Sequence, residues 1–186
     1  MKEISCCFIG HRKINKTEEL TEKLKQTIKN LLNIGYIRFI FGSRSEFNSL
    51  CHSIVTEFKE TYPNIIRVSY NTKSEASILE EKREELERSY SEILKREIQL
   101  EGFEEIIKDD KMYVSGKASY IERNQLMIDA SDLCVFYFNK DYTPPVRNRS
   151  TKYPFGIWTS DKSGTAIAYK YAVQKKKQII NVFELV

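Results

Sequence analysis

ISCCFIGHRKINKTEELTEKLKQTIKNLLNIGYIRFIFG, residues 4–42, carries the decision about the fold. Ile4–Ile9 is a short, mostly apolar run of strand length that ends in Gly10, which predicts a buried strand. Cys6 and Cys7 are adjacent, so an extended chain points them to opposite faces. Thr17 then reads as an N-cap, with Glu18 and Glu19 in the first turn. Leu20, Leu24, Ile28, Leu31 and Leu32 follow at helical spacing, and Gly35 closes the helix. Tyr36–Phe41 is a second strand, again ending in a glycine, Gly42.

The pattern repeats outward from there. A second helix carries Phe47, Leu50, Cys51, Ile54, Val55 and Phe58 and stops before Tyr62-Pro63, and Ile65–Tyr70 is a third strand. Strand and helix alternating at this spacing predict a parallel α/β sheet with right-handed crossovers. Ser74 to about Gln99 is rich in Glu, Lys and Arg, with an apolar stripe, and predicts a long charged amphipathic helix inserted in the fold. A short strand is expected at Phe103–Ile107, a helix at Tyr120–Ala130 and a buried strand at Leu133–Phe138. The segment 139–162, with three prolines and Trp158, has no periodicity and reads as a functional loop. A helix at Ser163–Lys176 and a last strand at Gln178–Phe183 complete the chain. No repeat or linker divides it, so residues 1–186 are read as one domain.

Composition supports a globular protein: 186 residues, 41% hydrophobic and 30% charged, is too apolar for intrinsic disorder. No apolar run nears the roughly 20 residues of a membrane span, and the first residues are too short and charged for a signal peptide. The four cysteines show no metal-ligand spacing. The expectation is a reduced, cytoplasmic protein with no metal and no cofactor, away from any membrane. Net charge is +4, but nine basic and only two acidic residues fall between Lys140 and Gln178. A local positive field on a mildly acidic body suits a small anionic ligand better than a long nucleic-acid track. The expectation is therefore against nucleic acid as a partner, since the basic residues cluster at one end and no known reading motif is present.

Ligands of open parallel sheets bind at the carboxyl ends of the strands, near the point where the strand order reverses. Four segments fall there: Gly10-His11-Arg12, the turn Gly42-Ser43-Arg44-Ser45-Glu46, Glu122-Arg123-Asn124, and Lys162-Ser163-Gly164-Thr165. A helix start such as Ser163–Thr165 offers free N–H groups and the positive end of the dipole, and Gly164 admits an anion close to the backbone. An ordinary N-cap is the alternative there and at Ser45. Arg12, Arg44, Arg123 and Lys162 would neutralise the anion, and Tyr153, Phe155 or Trp158 would stack on a base. His11 is either a base or a loop residue packed on its turn. Neither G-x-G-x-x-G nor G-x-x-x-x-G-K-[ST] is present, so dehydrogenase and ATPase readings lack their fingerprints.

Cys7-Phe8-Ile9-Gly10-His11-Arg12, Phe41-Gly42-Ser43 and Lys162-Ser163-Gly164-Thr165-Ala166 together resemble the SLOG superfamily, in particular its small YpsA-like bacterial and phage branch. That superfamily includes the LOG phosphoribohydrolases and the DNA-processing protein Smf/DprA. The resemblance implies a Rossmann-like three-layer parallel sheet with helices on both faces, binding a nucleotide or nucleotide-derived small molecule as a homo-oligomer, in the manner of a signal sensor or sponge. Glu122-Arg123-Asn124 is similar to the E-R-K segment of the LOG enzymes, which implies a functional role for Arg123. Ser163-Gly164-Thr165 is similar to part of P-G-G-x-G-T-x-x-E, but Ala168 stands where those enzymes keep a catalytic Glu. An N-glycoside hydrolase needs a carboxylate there or elsewhere, with Glu46, Glu122 and Asp161 as the candidates. No catalytic residue is assigned; binding leads, hydrolysis is the alternative, and DNA binding of the Smf/DprA type is third.

Overall fold

The computed structural model describes residues 3–42, 45–72, 102–108, 117–142 and 163–185. The predicted charged helix at 74–99 and most of the proline-rich loop, 143–162, lie outside the described residues, as do Ser43, Arg44 and Lys162. Six strands form one sheet: β1 (Ile4–Gly10), β2 (Tyr36–Phe41), β3 (Ile66–Asn71), β4 (Glu105–Lys108), β5 (Leu133–Tyr137) and β6 (Gln178–Asn181). Their order is β4-β3-β2-β1-β5-β6, and every neighbouring pair is parallel. The order reverses between β1 and β5, where Cys6–Gly10 pair in register with Leu133–Tyr137.

Among the described residues four helices cover the sheet: α1 (Glu18–Asn33), α2 (Glu46–Lys59), α3 (Lys117–Ala130) and α4 (Gly164–Gln174). On one face Phe8, Phe39, Phe41 and Val135 pack with Leu24 of α1 and Phe47 of α2. On the other, Cys7, Ile9, Val68 and Phe136 pack with Met127 of α3 and Ala172 of α4. Cys6 and Cys7 go to opposite faces, as their adjacency predicts, and all four cysteines are buried free thiols. The three-layer Rossmann-like α/β expectation therefore holds for the described residues. Burial of a large aliphatic or aromatic side chain stabilises by roughly 1.5–3 kcal/mol, so both cores are needed to hold the layers.

Local signals explain most boundaries. The Thr17 hydroxyl accepts the Leu20 N–H at 3.1 Å, and Gly35, at φ +96°, ends α1 in the conformation that glycine adopts without strain. Several boundaries differ from the pattern by one to three residues. Phe103 does not join β4, and its ring packs on His52 and Phe41, at 4.5 and 5.7 Å between centroids. α3 begins at Lys117, three residues before the expected Tyr120. The last strand stops at Asn181, and Val182–Leu185 turns into a 3-10 helix that buries Val182 on the α1 face. The Asn181 carboxamide meanwhile accepts the Phe138 N–H and donates to the Phe138 carbonyl, both at 3.0 Å. This side chain clamps the chain leaving β5.

Candidate functional site

Because all strands run the same way, the helices that follow them start at the carboxyl edge of the sheet, and the exits of β1 and β5 flank the reversal point. A Cβ on Gly10 would lie 2.4 Å from the Phe47 ring, so only glycine lets α2 seat on the end of β1. His11 follows, 2% exposed. The Asn139 N–H donates to its Nε2 at 3.0 Å, shorter than the 3.3 Å to the Asn139 carbonyl, which leaves the ring proton on Nδ1. Nδ1 is buried without a hydrogen-bond partner among the described residues. Burial pushes the imidazole down to about 4, against a smaller upward pull from the Asn139 backbone, so the ring is neutral.

Arg12 is exposed, and its carbonyl accepts the Glu46 N–H at 3.0 Å. The Glu46 carboxylate pairs with Lys13 and accepts the Ile14 N–H at 3.1 Å. The hydrogen bond from Lys13 holds this carboxyl below its ordinary range. Both oxygens thus fasten the 12–14 loop to the start of α2.

At the exit of β2, the Ser45 hydroxyl caps α2 by accepting the Asn48 N–H at 3.2 Å and also accepts the Asn48 carboxamide at 3.0 Å. A Cβ on Gly42 would lie 2.1 Å from Met127 Sδ and 3.0 Å from Arg123 Nε. Gly42 is required because α3 crosses the strand end here. Arg123 is 1% exposed, with its guanidinium carbon 5.0 Å from the Tyr120 ring centre and Nη2 3.5 Å from Asn124 Oδ1. It is enclosed by protein and not displayed as a surface cation.

At the start of α4, the Ser163 hydroxyl accepts the Ala166 N–H at 3.1 Å, which is an N-cap. No described atom lies within 4 Å of a Cβ built on Gly164, while Thr165 is buried. Ala168 is 2% exposed and packs in the second core. Two residues of the edge escaped the sequence reading, Asn139 and Tyr142. The Tyr142 ring stacks on His11, with centroids 3.8 Å apart. An Asn directly after an apolar strand is a turn signal, whereas the stack has no sequence signature.

The fold is that of a Rossmann-like parallel α/β protein, with loops gathered at its switch point. No family model matches the chain, and no curated protein matches its sequence. The chain is similar to the solved structure of DNA processing protein A from Helicobacter pylori, a study of that protein's single-stranded DNA binding mode. The TM-score is 0.53 at 15% identity, over 95% of this chain and 63% of the other. The chain thus spans under two thirds of that protein's length. At this identity the likeness is one of fold. It also corrects the expectation against nucleic acid: a protein of this fold does bind single-stranded DNA, so clustered basic residues and a missing reading motif are no ground for exclusion. No described helix is long and apolar enough to cross a membrane.

Proposed function

We propose that the chain binds single-stranded nucleic acid along the carboxyl edge of its sheet, held by phosphate contacts from Arg12 and Lys140. The observation that carries this reading is the fold likeness, over 95% of the chain, to a protein that binds single-stranded DNA. Exposed Lys140, just past β5, adds positive charge at this edge, whereas Lys175 and Lys177 bond to Asp129 and Ser131 at the opposite edge. Membership in the SLOG superfamily, in its YpsA-like branch, belongs to the same proposal and rests on the strand-end motifs. Anisotropy of a fluorescent oligothymidylate, titrated at several salt concentrations, tests it. Log affinity should fall linearly with log salt, with a slope of about −0.7 per neutralised phosphate, and Arg12→Ala should flatten it by about one phosphate. Absence of binding at low salt would overturn the reading.

A single nucleotide is the second reading, favoured by the space around Gly164 at the N-terminus of α4, where no described atom approaches. It predicts that a mononucleotide binds by itself, and that Gly164→Ala weakens this binding without loss of stability. For hydrolysis the site offers less: Ala168 faces the core and Glu46 is engaged by Lys13 and Ile14.

A further inference from the structure

Past β5 the chain makes a turn whose parts are all held. The Asn139 N–H goes to His11, its carboxamide oxygen accepts the Asp141 N–H at 2.9 Å, and its carbonyl accepts the Tyr142 N–H at 3.2 Å. An Asn that bonds its own backbone two residues on fixes a turn without a neighbouring strand. This turn lays the Tyr142 ring on the His11 imidazole, 20° from parallel at 3.8 Å. His11 is braced in its turn by Tyr137 and Phe138, whose ring centres lie 6.3 and 6.1 Å away. Tyr142 itself is only half-buried, and exposed Arg12, Lys140 and Asp141 surround the turn. The stack stands beside the exits of β1 and β5, where the strand order reverses.

We propose that Tyr142, seated on His11, is a stacking platform for one unpaired base of a single strand whose phosphates pass Arg12 and Lys140. The inference rests on the single-strand reading above. A phenol ring backed on one face by a neutral imidazole accepts a flat aromatic partner on the other. Unpaired bases offer such a face, and two flanking cations against one carboxylate favour a partner that carries phosphate. Stacking tolerates any base, so the platform predicts single-strand binding with little sequence preference. Tyr142 is the contact residue; His11 is a positioning residue that carries no charge to the ligand.

The test uses an oligothymidylate with one internal 2-aminopurine, whose fluorescence is quenched on stacking, together with anisotropy for affinity. Wild-type protein should bind and quench. Tyr142→Leu should bind about tenfold more weakly and lose the quench at saturation, while Tyr142→Phe keeps both. His11→Asn should diminish the quench with Tyr142 still present, a signature that loss of a merely structural contact would not produce. Unchanged affinity and quench in Tyr142→Leu would overturn the platform and leave the single-strand reading standing. No oligonucleotide binding by the wild type at low salt would remove that reading, and the platform with it. If adenosine monophosphate competes with the oligomer in wild type and Tyr142→Phe but not in Tyr142→Leu, the platform stands and also accepts a base from a free nucleotide.

Discussion

Gly10, Gly42 and Gly164 read alike in the sequence, each at a strand end or a helix start, yet they do different work. The first two are where a helix touches a strand end, and the third faces open space among the described residues. Gly42→Ala should destabilise by about 2 kcal/mol or more, because the added methyl meets Met127 Sδ at 2.1 Å. Gly164→Ala should leave stability unchanged or raise it by up to ~1 kcal/mol. Denaturant midpoints distinguish the two. His11 makes a pH prediction. Its pKa is about 4 when folded, against an ordinary 6.5, so the unfolded chain takes up a proton first as pH falls. Its contribution to stability is complete above 6.5 and is lost progressively towards 4, amounting to about 2 kcal/mol between pH 7 and 5. Burial also lowers His52, in the same direction. Denaturation of wild type and His11→Asn across this range isolates the His11 share, since the variant should show the shallower pH dependence.

α4 ends with Lys176 at φ +54°, its N–H bonded to the Val173 carbonyl and the Lys177 N–H to the Ala172 carbonyl, both at 3.0 Å. This is the glycine position of a Schellman motif, occupied here by lysine. Lys176→Gly should therefore raise the unfolding midpoint, by up to ~1 kcal/mol in stability, through relief of the left-handed backbone. β4 is a four-residue edge strand tied by side chains: Glu105 takes two hydrogen bonds of 2.5 Å from Arg38 of β2, and Glu104, just before the strand, takes two from the Arg67 guanidinium at 2.7 and 3.1 Å and one from the Arg67 N–H at 2.6 Å. For Glu104, burial pushes the carboxyl up, but Arg67 and Lys59 outweigh it and bring it below its ordinary range. Glu104→Gln should accelerate amide exchange in β4 while β1 and β5 stay protected. Equal acceleration in all three strands would show that the clamp serves the whole sheet.

Across the whole molecule, binding and stability are linked. A ligand that holds the β1 and β5 exits together binds only the folded chain, so oligothymidylate at a hundred times its Kd should stabilise by about 2.7 kcal/mol. Thermal melts with and without the oligomer check this. Identical melts, with binding independently demonstrated, would mean that the unfolded chain binds equally well.

Within the described residues, element order and type were legible because the parallel sheet writes itself into the chain as buried runs closed by glycine and capped helices of period 3.6. The stripe Leu20, Leu24, Ile28, Leu31, Leu32 is buried throughout, and the N-caps Thr17, Ser45 and Ser163 are local. The strand-end segments were legible for the same reason, since β1, β2 and α4 bring their neighbours to one edge. Other features depend on residues far apart in sequence and meet only in the fold. Phe47 on Gly10, Met127 on Gly42, the Asn181 clamp on Phe138 and the His11–Tyr142 stack are of this kind. Whether a cation such as Arg123 is displayed or enclosed was likewise decided by α3 crossing the end of β2. Periodicity and capping are properties of neighbouring residues and survive in one dimension; burial of a particular side chain belongs to the packing of layers and does not.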